Sequence, residues 1–163
     1  MDKLSLLKFC MPCNSKCCKT GKLIGSPIIS IEEAKKLNKE EKKRLEKVIS
    51  PTNQEYYIIR EQKNSNRCSF LSKDNTCTIQ EKKPMDCLCY PIKAIYESAN
   101  INFIIDTDCP AHQQLSEKFV IHSKKVALKS LKRFDKETYK HWLDNYVGWV
   151  ENKTLLSNFL RKL

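Results

Sequence analysis

The chemistry of this chain starts with its nine cysteines. Cys10, Cys13, Cys17 and Cys18 fall in the stretch CMPCNSKCC; Cys68, Cys77, Cys87, Cys89 and Cys109 follow. Thiols gathered in this way crosslink, hold a metal or form a reactive centre. Cys10 and Cys13 make a C-x-x-C knuckle, whose spacing lets two thiolates reach one ion while backbone amides turn toward the sulfurs. A zinc ribbon would repeat the knuckle, but the later cysteines are separated by eight, nine and one residue, with Cys109 far behind. That irregularity suits a site assembled from several loops: an iron–sulfur cluster, a mononuclear zinc or iron site, or two sites side by side. Cys17 and Cys18 are adjacent, and neighbours in extended backbone project oppositely. The pair is therefore expected to face two centres, or one centre and the packing.

Other groups fit catalysis less well. A cysteine nucleophile needs a positioned base, and nothing in the spacing ties His112, His122 or His141 to one thiol. Cys109 and His112 have ligand-like C-x2-H spacing, although His112 also reads as a polar residue opening a helix. Asp106 and Asp108 precede Cys109 and suit hydrogen bonding behind a ligand, or an ordinary hairpin end.

The elements that must position these groups are short. Residues 10–25 read as an irregular loop. Ser30 and Glu33 have capping-box spacing, which predicts a helix to about Leu37. A second charged helix is expected from Lys39 to Val48, stopped by Ser50-Pro51. Tyr56 to Ile59 reads as a strand, and Cys68–Leu71 with Thr76–Ile79 as a small hairpin. A second hairpin is expected from Ile92–Tyr96 and Ile101–Ile105. Beyond Pro110 the period becomes helical, with Leu115, Phe119, His122, Val126, Leu128 and Leu131 on one face. A last helix is predicted from Lys136 to Val150, with Trp142, Tyr146 and Trp149 as core contacts. Every cysteine is expected in a loop or beside a short strand. The fold class is α+β: a cysteine-rich domain over residues 1–112, then a helical extension over residues 113–163 packed on it.

Composition narrows the function. Three glycines, Gly21, Gly25 and Gly148, leave no glycine-rich phosphate loop or dinucleotide fingerprint. The amino terminus lacks a secretory pattern and no apolar run reaches a membrane span, so a reducing cytoplasm is expected. There, clustered cysteines serve as metal ligands or catalytic thiols more often than as structural disulfides. The net charge of +11 is densest after residue 112, where 11 basic side chains face 5 acidic ones. Nucleic acid is one partner this suits, but no strip of interleaved aromatics accompanies the lysines, and a solvated helix face explains them.

With these residues assembled, the chain resembles the CxxCxxCC cysteine-cluster family, also called YkgJ-like and described as zinc- or iron-chelating. The resemblance rests on CMPCNSKCC, IISIEEAKKL, CSFL, CTIQ, KPMDCLCYP and CPA, in order across residues 10–112. This chain departs in having three residues between Cys13 and Cys17, Gln80 for an aromatic, Lys83 and Leu88 for arginines, and Ala111 for glycine. Cys89 matches no family cysteine. The resemblance implies that Cys10, Cys13, Cys17, Cys18, Cys68, Cys77, Cys87 and Cys109 bind an iron–sulfur cluster or zinc, and it implies no particular reaction. Some relatives carry the domain within a protein-lysine methylase, so a modifying metalloenzyme is the second expectation, and a zinc-dependent nucleic-acid module the third. The carboxy-terminal helices are the expected surface for any protein partner, and no membrane is expected.

Overall fold

The computed structural model describes residues 13–19, 25–147 and 153–155. It is an α+β fold with its two long helices toward the carboxy end. The first helix, α1 (Ile31–Lys35), starts at the predicted capping box: the Ser30 hydroxyl accepts from the Glu33 amide, and the Glu33 carboxylate accepts from the Ser30 amide. A second capping box, Asn38 with Glu41, opens α2 (Lys39–Lys42).

Here the structure departs from the sequence reading. The expected helix to Val48 ends after one turn, and the chain becomes β1 (Leu45–Ile49), antiparallel to β2 (Glu55–Ile59). Leu45 and Val48 stand three apart, which imitates a helical period. Both are buried in the strand, however, and pairing with β2 overrides the local preference. The Cys68 hairpin is reduced to an isolated bridge, Leu71 with Cys77, closed by the amide of Ser72 donating to the carbonyl of Thr76.

A short helix, α3 (Met85–Cys89), carries Cys87 and Cys89, in place of the loop or strand-edge positions expected for them. β3 (Ile92–Glu97) and β4 (Asn100–Asp106) form the second predicted hairpin, and β5 (Lys153–Leu155) adds a third antiparallel strand beside β4. Ser98 turns the hairpin at φ 54°. A 3-10 turn, Pro110–Gln114, leads into α4 (Glu117–Leu131), and α5 (Lys136–Tyr146) follows. The buried side of α4 holds Phe119, Val120, Ser123, Ala127, Ser130 and Leu131, while His122 is exposed and off the expected face. The small residues Ser123, Ala127 and Ser130 keep that face flat, and α4 packs along both α3 and β3. The last helix ends at Tyr146, short of Val150; Trp149 lies outside the described residues.

Beside a small cluster of Ile92, Ile105 and Val120, two larger cores hold the described residues. One joins Ile28, Val48, Tyr56 and Ala94 to Leu131, Phe134, Tyr139 and Trp142, so the carboxy-terminal helices share a core with the preceding strands. The other, built on Ile29, Leu37, Leu45, Ile59, Phe70 and Ile79, lies directly under Cys68 and Cys77.

Candidate metal centre

Cys13, Cys17 and Cys18 are brought to the hairpin by backbone contacts. Asn14 and Ser15 take left-handed conformations, and Lys16–Cys18 form a single 3-10 turn. The Ser15 hydroxyl donates to the carbonyl of Asn75 at 2.7 Å, and the Cys68 amide donates to the carbonyl of Cys18 at 2.7 Å. The far end is fixed at Gly25, where φ is +83° and a Cβ would stand 2.3 Å from the carbonyl oxygen of Tyr146. Beside it, the Trp142 indole donates to the carbonyl of Ser26 at 2.8 Å.

Cys13, Cys17, Cys18, Cys68, Cys77, Cys87 and Cys109 all line one open cavity of about 140 Å³. Cys10 lies outside the described residues. Cys89 does not line the cavity: it is 1% exposed, and its thiol donates to the carbonyl of Asp86 at 3.3 Å. His112 is absent from the wall as well, with Nδ1 turned to the carbonyl of Cys109 at 2.7 Å. The cavity brings in groups that the cysteine pattern did not signal, among them Lys83, Lys93, Asp86 and Tyr90.

Within the cavity the thiols fall into two neighbourhoods. Cys18 faces Cys68, Cys77 and Cys87, and its charge raises the pKa of each. Burial is the largest cause in all three: it lifts Cys68 to about 11, raises Cys77 and pushes Cys87 well above the ordinary thiol value. Amides oppose this at two of them. Phe70 and Leu71 bond to the sulfur of Cys68, and Ile79 bonds to that of Cys77, as in metal knuckles. Cys18 is the exception, lowered to about 7 chiefly by its hydrogen bond with Cys17 and further by Lys83 and Lys19, against its burial. Lys83 also acts on Cys77 and Cys87, so three of the four thiols share this cation.

The second neighbourhood surrounds Tyr90. Its pKa is raised by burial first, then by Asp106, Cys17 and Cys109. The Tyr90 hydroxyl donates to Asp106 Oδ2 at 3.0 Å, and the other oxygen of Asp106 accepts from the amide of Asp108 at 3.0 Å. Asp106 thus works as a hydrogen-bonding hub behind Cys109. The two neighbourhoods meet at Cys17 and Cys18, whose sulfurs are 4.0 Å apart. The opposed side chains expected of extended backbone do not occur, because a 3-10 turn separates neighbours by only about 120°. A 4.0 Å separation is close to the ~3.8 Å edge of a tetrahedron of sulfurs around zinc.

Among the described residues, no three His, Cys, Asp or Glu side chains are drawn together tightly enough to hold an ion as they stand. The donor set nonetheless suits a thiophilic metal. Buried thiols that raise one another's pKa lose that repulsion to a cation, and amide donors already face two of the sulfurs. Comparison with known proteins finds no matching family model, curated protein or solved structure. The likeness to the cysteine-cluster family therefore rests on the sequence motifs alone. No helix among the described residues is long and apolar enough to cross a membrane.

Proposed function

We propose that this chain is a metal-binding protein whose clustered cysteines coordinate iron, as an iron–sulfur cluster, or zinc. One observation carries the proposal: every expected ligand within the described residues lines the same cavity, and the cysteine that matches no family position does not. Cys18, Cys68, Cys77 and Cys87 would supply the first four thiolates, and Cys17 and Cys109 would flank them. A bound metal would displace the thiol protons and draw these loops together, coupling metal uptake to folding.

Of the two metals we favour the cluster, because the eight ligand-type cysteines are irregularly spaced and exceed one four-thiolate zinc site. Replacing Cys18, Cys77 or Cys87 by serine tests the proposal through metal content, with Cys89→Ser as the internal control. Loss in the first three and retention in the control are expected. Full metal content in all four would end the proposal.

A further inference from the structure

The helix that carries Cys87 has no cap of its own. α3 is five residues long, and its N-cap is Pro84, which has no side-chain acceptor for the exposed amides of the first turn. The missing acceptor comes from another helix. Glu33 Oε1 accepts from the Met85 amide at 2.7 Å, while its Oε2 accepts from the amide and hydroxyl of Ser30 at 3.0 and 3.1 Å. One carboxylate therefore caps α1 and α3 together.

Glu33 is 7% exposed, and a buried carboxylate needs a compensating charge. Arg133, just beyond the end of α4, stands 3.5 Å from Glu33 Oε2 and donates to the Ser30 hydroxyl at 2.7 Å. The chain of contacts runs from α4 through Arg133 and Glu33 to the first amide of the helix bearing Cys87. On the next residue, Asp86 pairs with Lys93 at 3.6 Å and accepts from the Ile28 amide, so the orientation of this short helix is fixed from several sides.

We propose that Glu33 is a positioning residue for the thiol centre: by capping α3 from outside, it sets where Cys87 stands relative to Cys18 and Cys68. This goes beyond the ordinary role of a capping-box glutamate. The molecule contains its own comparison in Glu41, which completes the same motif on α2 but reaches Lys82 at 2.8 Å, not a cysteine helix. The proposal rests on the metal-binding reading of the cavity for its functional weight, but the placement of Cys87 can be measured without metal.

The experiment uses the full chain as wild type, Glu33→Ala, Glu33→Gln and Glu41→Ala. Cobalt(II) is titrated into the reduced protein and followed by its thiolate charge-transfer and d–d bands. In parallel, the metal-free proteins are alkylated with iodoacetamide, and the rate at Cys87 is read against Cys77 by peptide mass spectrometry. Glu33→Ala is expected to lower cobalt affinity by about tenfold or more, the usual cost of losing a group that orients a ligand. It should also alter the d–d bands and speed alkylation at Cys87 relative to Cys77. Glu33→Gln keeps an oxygen on the Met85 amide and should recover most of both, while Glu41→Ala should change neither. Should Glu33→Ala not fold, Glu33→Asp, which shortens the reach to Met85, takes its place.

A folded Glu33→Ala protein with wild-type cobalt bands, affinity and Cys87 rate would overturn the proposal and leave Glu33 as a helix cap. Wild-type protein without thiolate–cobalt bands would instead count against the metal reading. The alkylation ratio then decides the positioning role: a faster Cys87 upholds it, and an unchanged one removes it.

Discussion

The amide of Cys68 donates to the carbonyl of Cys18 at 2.7 Å, and together with the Ser15 hydroxyl on the Asn75 carbonyl this bond joins the amino-terminal cysteine turn to the hairpin that carries Cys77. Cys18 then faces Cys68, Cys77 and Cys87, each drawn from a different turn or helix. A site made of segments so distant in sequence stands only when the whole fold does, so its chemistry and its stability should fail together.

Cys89 separates the two roles a cysteine plays here. Its thiol is buried against the Asp86 carbonyl, away from the cavity. Cys89→Ala should therefore cost about 1 kcal/mol of stability through lost packing and leave metal content intact. Chemical denaturation beside metal analysis checks this. Loss of metal with unchanged stability would reverse the assignment.

Metal affinity should rise steeply with pH. Cys68 sits near pKa 11, and Cys77 and Cys87 are also raised, so at neutral pH these three carry protons that a metal must displace. Cys18, lowered to about 7, is partly ionised there and loses fewer. Because more than one proton leaves per metal, affinity for cobalt or zinc should fall by more than about tenfold for each unit below pH 7. Chelator competition between pH 6 and pH 8 measures the slope. A flat profile would show that these thiols do not bind the metal.

Lys83 is the cation shared by Cys18, Cys77 and Cys87. Lys83→Met should weaken metal binding by about tenfold, because the thiolates lose a compensating charge. Lys83→Arg should keep it. Metal competition on the two variants checks the pair, and equal affinities would remove Lys83 from the site.

Trp142 ties the carboxy-terminal helices to the cysteine segment. It is fully buried, its indole bonds the Ser26 carbonyl, and Lys93 stands 5.0 Å from its ring. Trp142→Ala should cost about 3–5 kcal/mol. At Gly25, alanine would meet the Tyr146 carbonyl in a left-handed conformation, and a cost of about 1–3 kcal/mol follows from the backbone alone. Thermal unfolding of both variants provides the check. Wild-type stability in either would show that α5 is not part of the shared core.

The sequence was most legible where chemistry is local. Ser30 with Glu33 announced α1, the β3–β4 hairpin followed from alternation and its turn residues, and the long helices followed from their apolar period. It misled where a short apolar spacing serves two structures: Leu45 and Val48 fit a helix equally well until β2 supplies the partner strand. The third strand, Lys153–Leu155, had no local signal because its pairing with β4 is entirely long-range. The cysteine types pointed to a thiol site, but not to which thiols are neighbours. That depends on the Cys68–Cys18 bond and on α3, a five-residue helix held partly by Glu33 from elsewhere in the chain. The second use of Glu33 was invisible because one capping-box residue looks like another until its free oxygen finds a partner.

Anaerobic purification of the full chain, followed by analysis for iron, zinc and acid-labile sulfide, tests the central claim most directly. Iron with matching sulfide, lost on replacing Cys18 or Cys87, is the predicted result, and stoichiometric zinc in a colourless protein would keep the metal centre while rejecting the cluster. A folded, reduced protein with neither metal, and with no uptake on reconstitution, would contradict the account.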